Sequence, residues 1–292
     1  FFAQKGAVDF SGGYVIHLSA GVAAFVGAAI IGPRRWQDRE NAFPSNLMLV
    51  AVGAGIIWLG WNGFNGGDPF YAGADAAAAV LNTNLATAVG VITWLLMDMF
   101  FTKQKKPTFL GAINGMLCGL VAITPSAGWV DATGAICVGF ISAFLVWFAW
   151  NYLSKVRPFS KVDDALGVVY THGFAGLIGG LLVGFLADPA MTEYGVKGIY
   201  KGAGAFYVRG WFYGHSFHQL WEQILAAAWI ICWTAFGTAL IFYFVKWVLG
   251  GIREPDDVLA IGDLAIHDEE AFPDPTYGEP LSTPSHTHDD NI

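Results

Sequence analysis

The sequence predicts an all-α, polytopic helical membrane protein, and its composition is the first observation that predicts it. Of the 292 residues, 55% are hydrophobic and only 13% are charged, with a mean hydropathy of +0.49. A soluble domain carries about 25% charged residues, so this chain has too few polar side chains to cover its surface. The 37 Gly, 12 Trp and 23 Phe are typical of helical membrane proteins. Together these values exclude a disordered chain, a collagen-like fibre and a nucleic-acid-binding module.

The second observation is a series of long apolar stretches that contain no Asp, Glu, Lys or Arg. A helix needs about 20 apolar residues to cross the hydrocarbon core of a bilayer. Transmembrane strands alternate polar and apolar residues over about ten positions, a pattern these stretches lack. Seven spans are predicted: Tyr14–Gly32, Leu47–Gly67, Ala76–Met97, Thr108–Val130, Ala132–Ser154, Ala165–Ala187 and Gln223–Val245.

The Lys and Arg residues of the loops predict the orientation of these spans, because cytoplasmic loops are enriched in positive charge. One set of loops holds most of them: Arg34, Arg35, Arg39, Lys103, Lys105, Lys106, Lys155, Arg157, Lys161, Lys246 and Arg253. The opposite loops hold Lys5, Lys197, Lys201 and Arg209. The first span is therefore predicted to run inward across the cell membrane, and the C-terminal tail is predicted to lie in the cytoplasm.

The net charge of −8 comes from this tail. Residues 251–292 hold 11 acidic residues and one basic residue, whereas residues 1–250 hold 12 acidic and 14 basic residues. We therefore predict a nearly neutral transmembrane domain over 1–250 and an acidic tail over 251–292. Its apolar residues up to about Phe272 indicate a segment ordered against the cytoplasmic face, and its Pro- and acid-rich end predicts disorder from about 273.

Two histidines, His17 and His172, are each the only ionisable group of a predicted span. They share a D-x7-H-x2-A-G pattern, in which Asp9, His17, Ala20 and Gly21 repeat as Asp164, His172, Ala175 and Gly176. The two spans run in opposite directions, so an inverted repeat would bring the histidines together near the membrane midplane. We expect their ring nitrogens to lie within hydrogen-bond reach. The alternative is that each is a core histidine bonded to a neighbouring helix.

A glycine- and aromatic-rich segment, Leu59–Asp68, ends the second span at its outer side. Aromatic faces bind cations, and Asp68 adds a negative charge. Trp61 and Phe64 could instead belong to the interfacial belt of aromatic residues that many membrane proteins carry. Composition does not decide between these interpretations.

Together these motifs resemble the Amt/Mep/Rh ammonium transporter family, in particular its Amt branch. The resemblance covers nearly the whole chain. It rests on Gly6–His17, Gly60–Gly67, Lys106–Ala112, Thr124–Gly128, Asp163–Gly173 and Gly262–Phe272.

The resemblance implies an eleven-helix fold of two inverted five-helix repeats, assembled as a homotrimer with one pore per subunit. This chain would then hold the fifth to eleventh helices and lack the first four. His17 and His172 would be the paired pore histidines, Phe64 a gate ring and Trp61 part of the pore lining. Asp9 would polarise an outer cation site.

Two departures from the family pattern affect the site. Asp68 stands where the family often has Ser, so a carboxylate would join the outer recruitment site. Gly167, Val169, Tyr170 and Thr171 replace the usual residues before the second histidine, which leaves Asp164 as the acidic group expected at the inner vestibule.

The resemblance and the residues together predict ammonium transport. Ammonium would be recruited at the outer aromatic and acidic site and deprotonated, and ammonia would pass the paired histidines. The expected partners are ammonium or ammonia, the lipid bilayer, and a PII-type signal protein at the cytoplasmic face. We expect no catalytic residue, cofactor, metal site or nucleic-acid partner.

Three other functions would each need different residues or a different use of the tail. An ammonium sensor that signals through the tail is the main alternative. A seven-helix retinal photoreceptor would need a lysine in mid-helix, but Lys246 lies at the edge of the last predicted span. A membrane metalloenzyme would need more than two histidines at the midplane.

If four helices are missing, the pore wall should be open on one side. His17, Trp61 and Phe64 are then expected to be more exposed than a closed pore would permit.

Overall fold

A computed structural model describes residues 1–40, 44–191 and 208–269. Every regular element in these ranges is a helix, in agreement with the predicted all-α class. The helices are α1 Phe2–Lys5, a first π-helix Gly13–Leu18, α2 Ser19–Ile31, α3 Trp36–Glu40, α4 Leu47–Gly67, α5 Ala74–Phe101, α6 Phe109–Ile123, α7 Ala132–Asn151, a second π-helix Val169–Phe174, α8 Ala175–Leu186, α9 Trp211–Gly214, α10 His218–Leu249, α11 Asp256–Ile261 and α12 Asp263–His267. Short 3₁₀ turns cover Leu153–Lys155, Phe159–Lys161 and Pro189–Met191.

Six helical segments of the described ranges are long and apolar enough to cross a membrane. They are Gly13–Ile31, Leu47–Gly67, Ala74–Phe101, Ala132–Lys155, Val169–Leu186 and His218–Leu249. Each matches one of the predicted spans, and the bounds of Leu47–Gly67 agree at both ends. The seventh predicted span, Thr108–Val130, is the exception.

That span contains a shorter helix, α6, which ends at Ile123 and gives way to turns over 124–130. Pro125 has no backbone N–H and disfavours a helical conformation at the residue before it. The non-helical stretch is nevertheless buried, and Asn82 of α5 donates its side-chain amide to the carbonyls of Ala127 and Val130 at 2.9 and 2.7 Å. Buried non-helical backbone is tolerated at membrane depth when the protein itself satisfies its polar groups. The length of the apolar stretch therefore predicted too late an end for this helix.

Helices α5 and α10 are longer than predicted, because each continues past a buried acidic residue. The predicted Ala76–Met97 stops before Asp98, and the predicted Gln223–Val245 begins after Glu222. Both acidic side chains are 7% exposed. Asp98 accepts a 2.8 Å hydrogen bond from the indole of Trp147, which offsets the cost of its burial.

Close approach of backbones at glycines holds α5, α6 and α7 together. A Cβ added at Gly115 would lie 2.5 Å from the carbonyl oxygen of Gly90, and one at Gly119 would lie 2.5 Å from that of Ala86. The Gly111–Gly115–Gly119 spacing therefore packs helices tightly, as small residues do in lipid.

A second group of helices, formed by the first π-helix with α2, the second π-helix with α8, and α10, carries the paired histidines. Gln223 of α10 ties this group together by donating to the carbonyls of Val8 and Gly180, while its amide oxygen accepts from the backbone of Val8. After the end of α2 and before the second π-helix, Arg34 and Asp163 form a bidentate ion pair with contacts of 2.8 and 2.9 Å. This pair holds the pKa of Asp163 below its ordinary value.

Helix α4 lies at the edge of the bundle, with Asn65 as its one buried residue. Helices α11 and α12 of the tail form but bury no residue, and Ile261 and Ile266 stay exposed. Leu259 and Leu264 are half-buried, and the docking of the tail on the cytoplasmic face stays a prediction. The predicted disorder from about residue 273 lies outside the described residues.

Candidate functional site: a histidine pair at a helix crossing

Both histidines singled out by the sequence lie in π-helices. His17 is in Gly13–Leu18 and His172 is in Val169–Phe174. In the first of these, the carbonyl of Gly12 accepts from the backbone N–H groups of both Ile16 and His17. π-Helical turns are rare and occur frequently at functional sites. The sequence contains no signal that predicts them.

The two π-helices cross where the repeated pattern places its glycines. A Cβ added at Gly21 would lie 2.3 Å from Cα of Gly173, and one at Gly176 would lie 2.6 Å from the carbonyl oxygen of Gly13 and 3.1 Å from Cβ of His17. Larger side chains would force the helices apart. The glycines of the D-x7-H-x2-A-G pattern therefore bring the histidines together.

The imidazole rings of His17 and His172 lie side by side, with centroids 5.6 Å apart and planes inclined by 62°. The predicted hydrogen bond between them is not formed, and Nε2 of His17 is a buried nitrogen without a hydrogen-bond partner. Nδ1 of His172 lies 2.9 Å from Oγ1 of Thr171 instead.

Aromatic rings cover the pair on one side. Trp61 stacks on His17 with centroids 5.1 Å apart and planes inclined by 16°, and Phe64 lies 6.0 Å from the same ring. The indole N–H of Trp61 donates a 3.0 Å hydrogen bond to Oγ1 of Thr124. Thr124 therefore orients a ring of the site. The motif Thr124–Gly128 contains this residue, but the sequence does not predict its contact with Trp61.

The expected exposure of the site is found for one side chain only. Phe64 is 41% exposed, and Trp61 and His172 are half-buried, but His17 is only 4% exposed. The expectation was wrong for His17 because Trp61, Phe64 and His172 surround its ring.

Asp9 and Asp164 both accept backbone hydrogen bonds at the start of the π-helices. Oδ2 of Asp9 accepts from the N–H groups of Tyr14 and Val15, and the carboxylate of Asp164 accepts from those of Val168 and Val169. These four contacts measure 2.9–3.2 Å. Oδ1 of Asp9 is buried without a partner. The repeated aspartates thus satisfy N–H groups that a helix start leaves free, and they add negative charge at its positive end.

Asp68 follows the last residue of α4 and is half-buried. Burial, together with the nearby charge of Asp9, raises its pKa to about 6. Burial also raises the pKa of Asp9. The two aspartates predicted for the outer site therefore lie close enough to influence one another.

The described residues contain no group of three His, Cys, Asp or Glu side chains that could hold a metal ion. Of the other histidines, His215 and His218 are exposed.

Comparisons with known proteins indicate the family to which the chain is similar. Residues 1–272 match the model of the Ammonium Transporter Family. The chain is 44% identical over 274 residues to "Ammonium transporter 3 member 1" of Oryza sativa subsp. japonica, covering 93% of this chain and 53% of that relative. It thus spans about half the length of this relative, and the relatives are named as transporters, not as enzymes.

Solved structures show the same fold. The crystal structure of Candida albicans Mep2 superposes with a TM-score of 0.77 at 27% identity, covering 96% of this chain and 60% of Mep2. A structure titled "Sensor Amt Protein" superposes with a TM-score of 0.68 at 27% identity, covering 85% of this chain and 57% of that protein. On the match over residues 1–272, the chain belongs to the ammonium transporter family.

Proposed function

We propose that the protein carries ammonium across a membrane by binding the cation at an outer site, removing a proton and conducting ammonia past His17 and His172. The observation that carries the proposal is the pair of adjacent imidazoles, covered by Trp61, in a chain of the ammonium transporter family. Because the chain spans about half the length of its relatives, the proposal concerns the whole protein.

The mechanism follows from the cost of moving charge. A charged group at the centre of a bilayer costs about 2.5–3.5 kcal/mol or more. Ammonium avoids that cost by leaving its proton behind, whereas potassium has no proton to lose. A pore that conducts only the neutral species therefore selects against potassium.

The outer site would consist of Asp9, Asp68 and the aromatic rings. Asp68 carries negative charge above a pH of about 6, and the exposed ring of Phe64 offers a face to a cation. Asp9 would act mainly through its field, since Oδ2 is held by the backbone of Tyr14 and Val15.

The inner vestibule would use Asp164 in the corresponding way. It caps the second π-helix as Asp9 caps the first. Its negative charge would stabilise the positive charge that forms when ammonia regains a proton there.

The whole protein would lie in the cell membrane with its tail in the cytoplasm, as the loop charges predict. Exposed apolar side chains on α4 and α10, among them Leu59, Ile56, Trp233 and Leu240, suit contact with lipid or with other helices. We propose that the protein assembles as a homotrimer. The exposed tail helices, with Ile261 and Ile266, would provide a surface for a neighbouring subunit or a PII-type signal protein.

The alternative function is an ammonium sensor that signals through the tail. It is supported by the likeness to the structure titled "Sensor Amt Protein". A sensor would bind ammonium at the same outer site without a net flux.

The test is ammonium flux into proteoliposomes containing the complete protein. Replacing His17 and His172 together by Ala should abolish the flux, because no imidazole then remains to exchange protons. His218→Ala, which removes an exposed histidine of α10, is the matched control and should transport normally. Undiminished flux in the double variant would refute the pore assignment. Ammonium binding without flux in the unmodified protein would favour the sensor.

A further inference from the structure

The residue next to the second histidine has a contact that the proposed mechanism does not use. Oγ1 of Thr171 lies 2.9 Å from Nδ1 of His172 and also 2.9 Å from the carbonyl oxygen of Gly167. Thr171 is 2% exposed, so water has little access to compete for these contacts. The hydroxyl thus sits between one carbonyl oxygen and one ring nitrogen.

The positions of the available protons decide how these contacts are made. A hydroxyl has one proton to donate and can accept from other donors. Threonine in a helix commonly donates to the carbonyl four residues earlier, which here is Gly167. If its proton went to His172 instead, two oxygen atoms would face each other at 2.9 Å with no proton between them. The hydroxyl therefore donates to Gly167 and accepts from the ring.

We infer that Thr171 is a positioning residue that holds neutral His172 as the tautomer protonated on Nδ1, so that Nε2 carries the free lone pair. A neutral imidazole has one donor and one acceptor nitrogen. Nδ1 is committed to Thr171, and within the described residues no hydrogen bond occupies Nε2 of His172.

Gly167 contributes the other half of this arrangement. It has a φ of +70°, and a Cβ there would lie 1.9 Å from the ring of Trp150, so the backbone conformation that presents its carbonyl to Thr171 requires glycine. Gly167 and Thr171 are two of the residues at which this chain departs from the family pattern. These two departures therefore form one hydrogen-bonded unit with His172.

The consequence concerns proton exchange and rests on the proposed function. The two histidines do not bond through Nδ1 of His172, so Nε2 is left as the acceptor. If ammonium gives its proton to this nitrogen, one N–H bond of ammonium breaks with its electron pair left on ammonia, and an Nε2–H bond forms. The resulting imidazolium keeps its Nδ1–H bond to Thr171, whose oxygen stabilises the positive charge.

The test combines nuclear magnetic resonance with flux measurements on the complete protein. Histidine rings are labelled with ¹⁵N, and the signals of His172 are assigned by their loss in His172→Gln. We expect a protonated Nδ1 and an unprotonated Nε2 in the unmodified protein. Thr171→Val, which has the same shape but no hydroxyl, should shift both signals and lower ammonium flux by about tenfold.

Two further variants separate this role from a structural one. Thr171→Ser keeps the hydroxyl and should restore both the signals and the flux. Thr87→Val removes a buried hydroxyl that bonds the carbonyl four residues earlier in α5, and should change neither.

Unchanged His172 signals in Thr171→Val, or a proton on Nε2 in the unmodified protein, would overturn the inference. The resonance measurement does not depend on transport. A failure of the proposed function would appear separately, as absence of flux in the unmodified protein.

Discussion

Carboxylates that look alike in the sequence differ in what surrounds them. Asp9 and Asp164 are held by backbone N–H groups at the starts of the π-helices, so their position is set by the helix. Asp68 comes after the end of α4, and burial together with Asp9 raises its pKa to about 6. The raised pKa of Asp68 places the loss of its negative charge at a pH of about 6.

We therefore predict that ammonium uptake depends on pH through Asp68. A carboxylate with a raised pKa is charged above that pKa and neutral below it, so the apparent affinity for ammonium should fall as the pH drops through about 6. The loss should reach about fivefold, the equivalent of about 1 kcal/mol for a partly exposed charge. Flux into proteoliposomes measured over a range of ammonium concentrations at each pH reports this affinity.

Asp68→Asn should show the weaker apparent affinity for ammonium at every pH, without the fall at a pH of about 6. Asp75→Asn removes a charge at the start of α5 and serves as the control, because its ammonium affinity should still fall as the pH drops through about 6. If Asp68→Asn retains the pH dependence of the unmodified protein, another group is responsible.

At the scale of elements, the site is built from two copies of one motif, the first π-helix with α2 and the second π-helix with α8. Each copy begins with an aspartate that accepts backbone hydrogen bonds, continues with a π-helix carrying the histidine, and then presents a glycine to the other copy. The crossing depends on contact between main chains, with Gly21 against Gly173 and Gly176 against Gly13. Main-chain atoms cannot rotate away as a flexible side chain can.

Gly21→Ala should therefore separate the two copies and weaken transport. Its Cβ would meet Cα of Gly173 at 2.3 Å, and overpacking of this kind typically costs about 1–3 kcal/mol of folding stability. Thermal unfolding in detergent and ammonium flux in proteoliposomes measure the two effects.

Gly237→Ala in α10 is the matched control, because a Cβ there meets nothing within 4 Å. It should transport normally and be at least as stable, since Ala favours helix over Gly by up to about 1 kcal/mol. Equal stability and flux in Gly21→Ala and Gly237→Ala would show that the close crossing is not needed.

At the scale of the whole molecule, the two tail helices are far less buried than the transmembrane domain. The chain leaves α10 at Gly250, whose φ of +72° turns it away from the helix. The residues that follow border a cavity of about 690 Å³ beside Ile31, Phe242 and Val245. Beyond it, α11 and α12 bury no residue. A hydrogen bond from Arg35 to Asp38 and, as a smaller cause, the charge of Asp256 raise the pKa of Arg35, so this tail helix lies within electrostatic range of a basic loop.

Removing residues 251–292 from the complete protein should lower ammonium flux without removing selectivity against potassium. The first residues of the tail border the same cavity as Ile31 at the end of α2, whereas the histidine pair lies among helices that the deletion leaves intact. Flux of both ions is compared in proteoliposomes. Removing only residues 270–292 is the control, and it should leave the flux unchanged because α11 and α12 remain. A tail that can be deleted entirely without effect would be a passive appendage.

Hydropathy by itself determined the membrane class and six of the seven spans. The thickness of a bilayer sets the number of consecutive apolar residues that a spanning helix needs, and this number can be counted in the sequence. The same rule misplaced the end of α6, because Asn82 satisfies the turn at Ala127 and Val130 from another helix. It also ended the spans of α5 and α10 at Asp98 and Glu222, which tertiary contacts bury.

The repeated D-x7-H-x2-A-G pattern determined that His17 and His172 would meet, because inverted copies of one motif are related by symmetry. Only the tertiary structure decided which atoms meet. The hydrogen bond between Nδ1 of His172 and Oγ1 of Thr171 and the one that Trp61 donates to Thr124 depend on how the rings are turned at the crossing. Ring orientation is set by contacts among residues far apart in the chain. A linear pattern can therefore predict the neighbours, whereas the hydrogen bonds between them follow only from the packed structure.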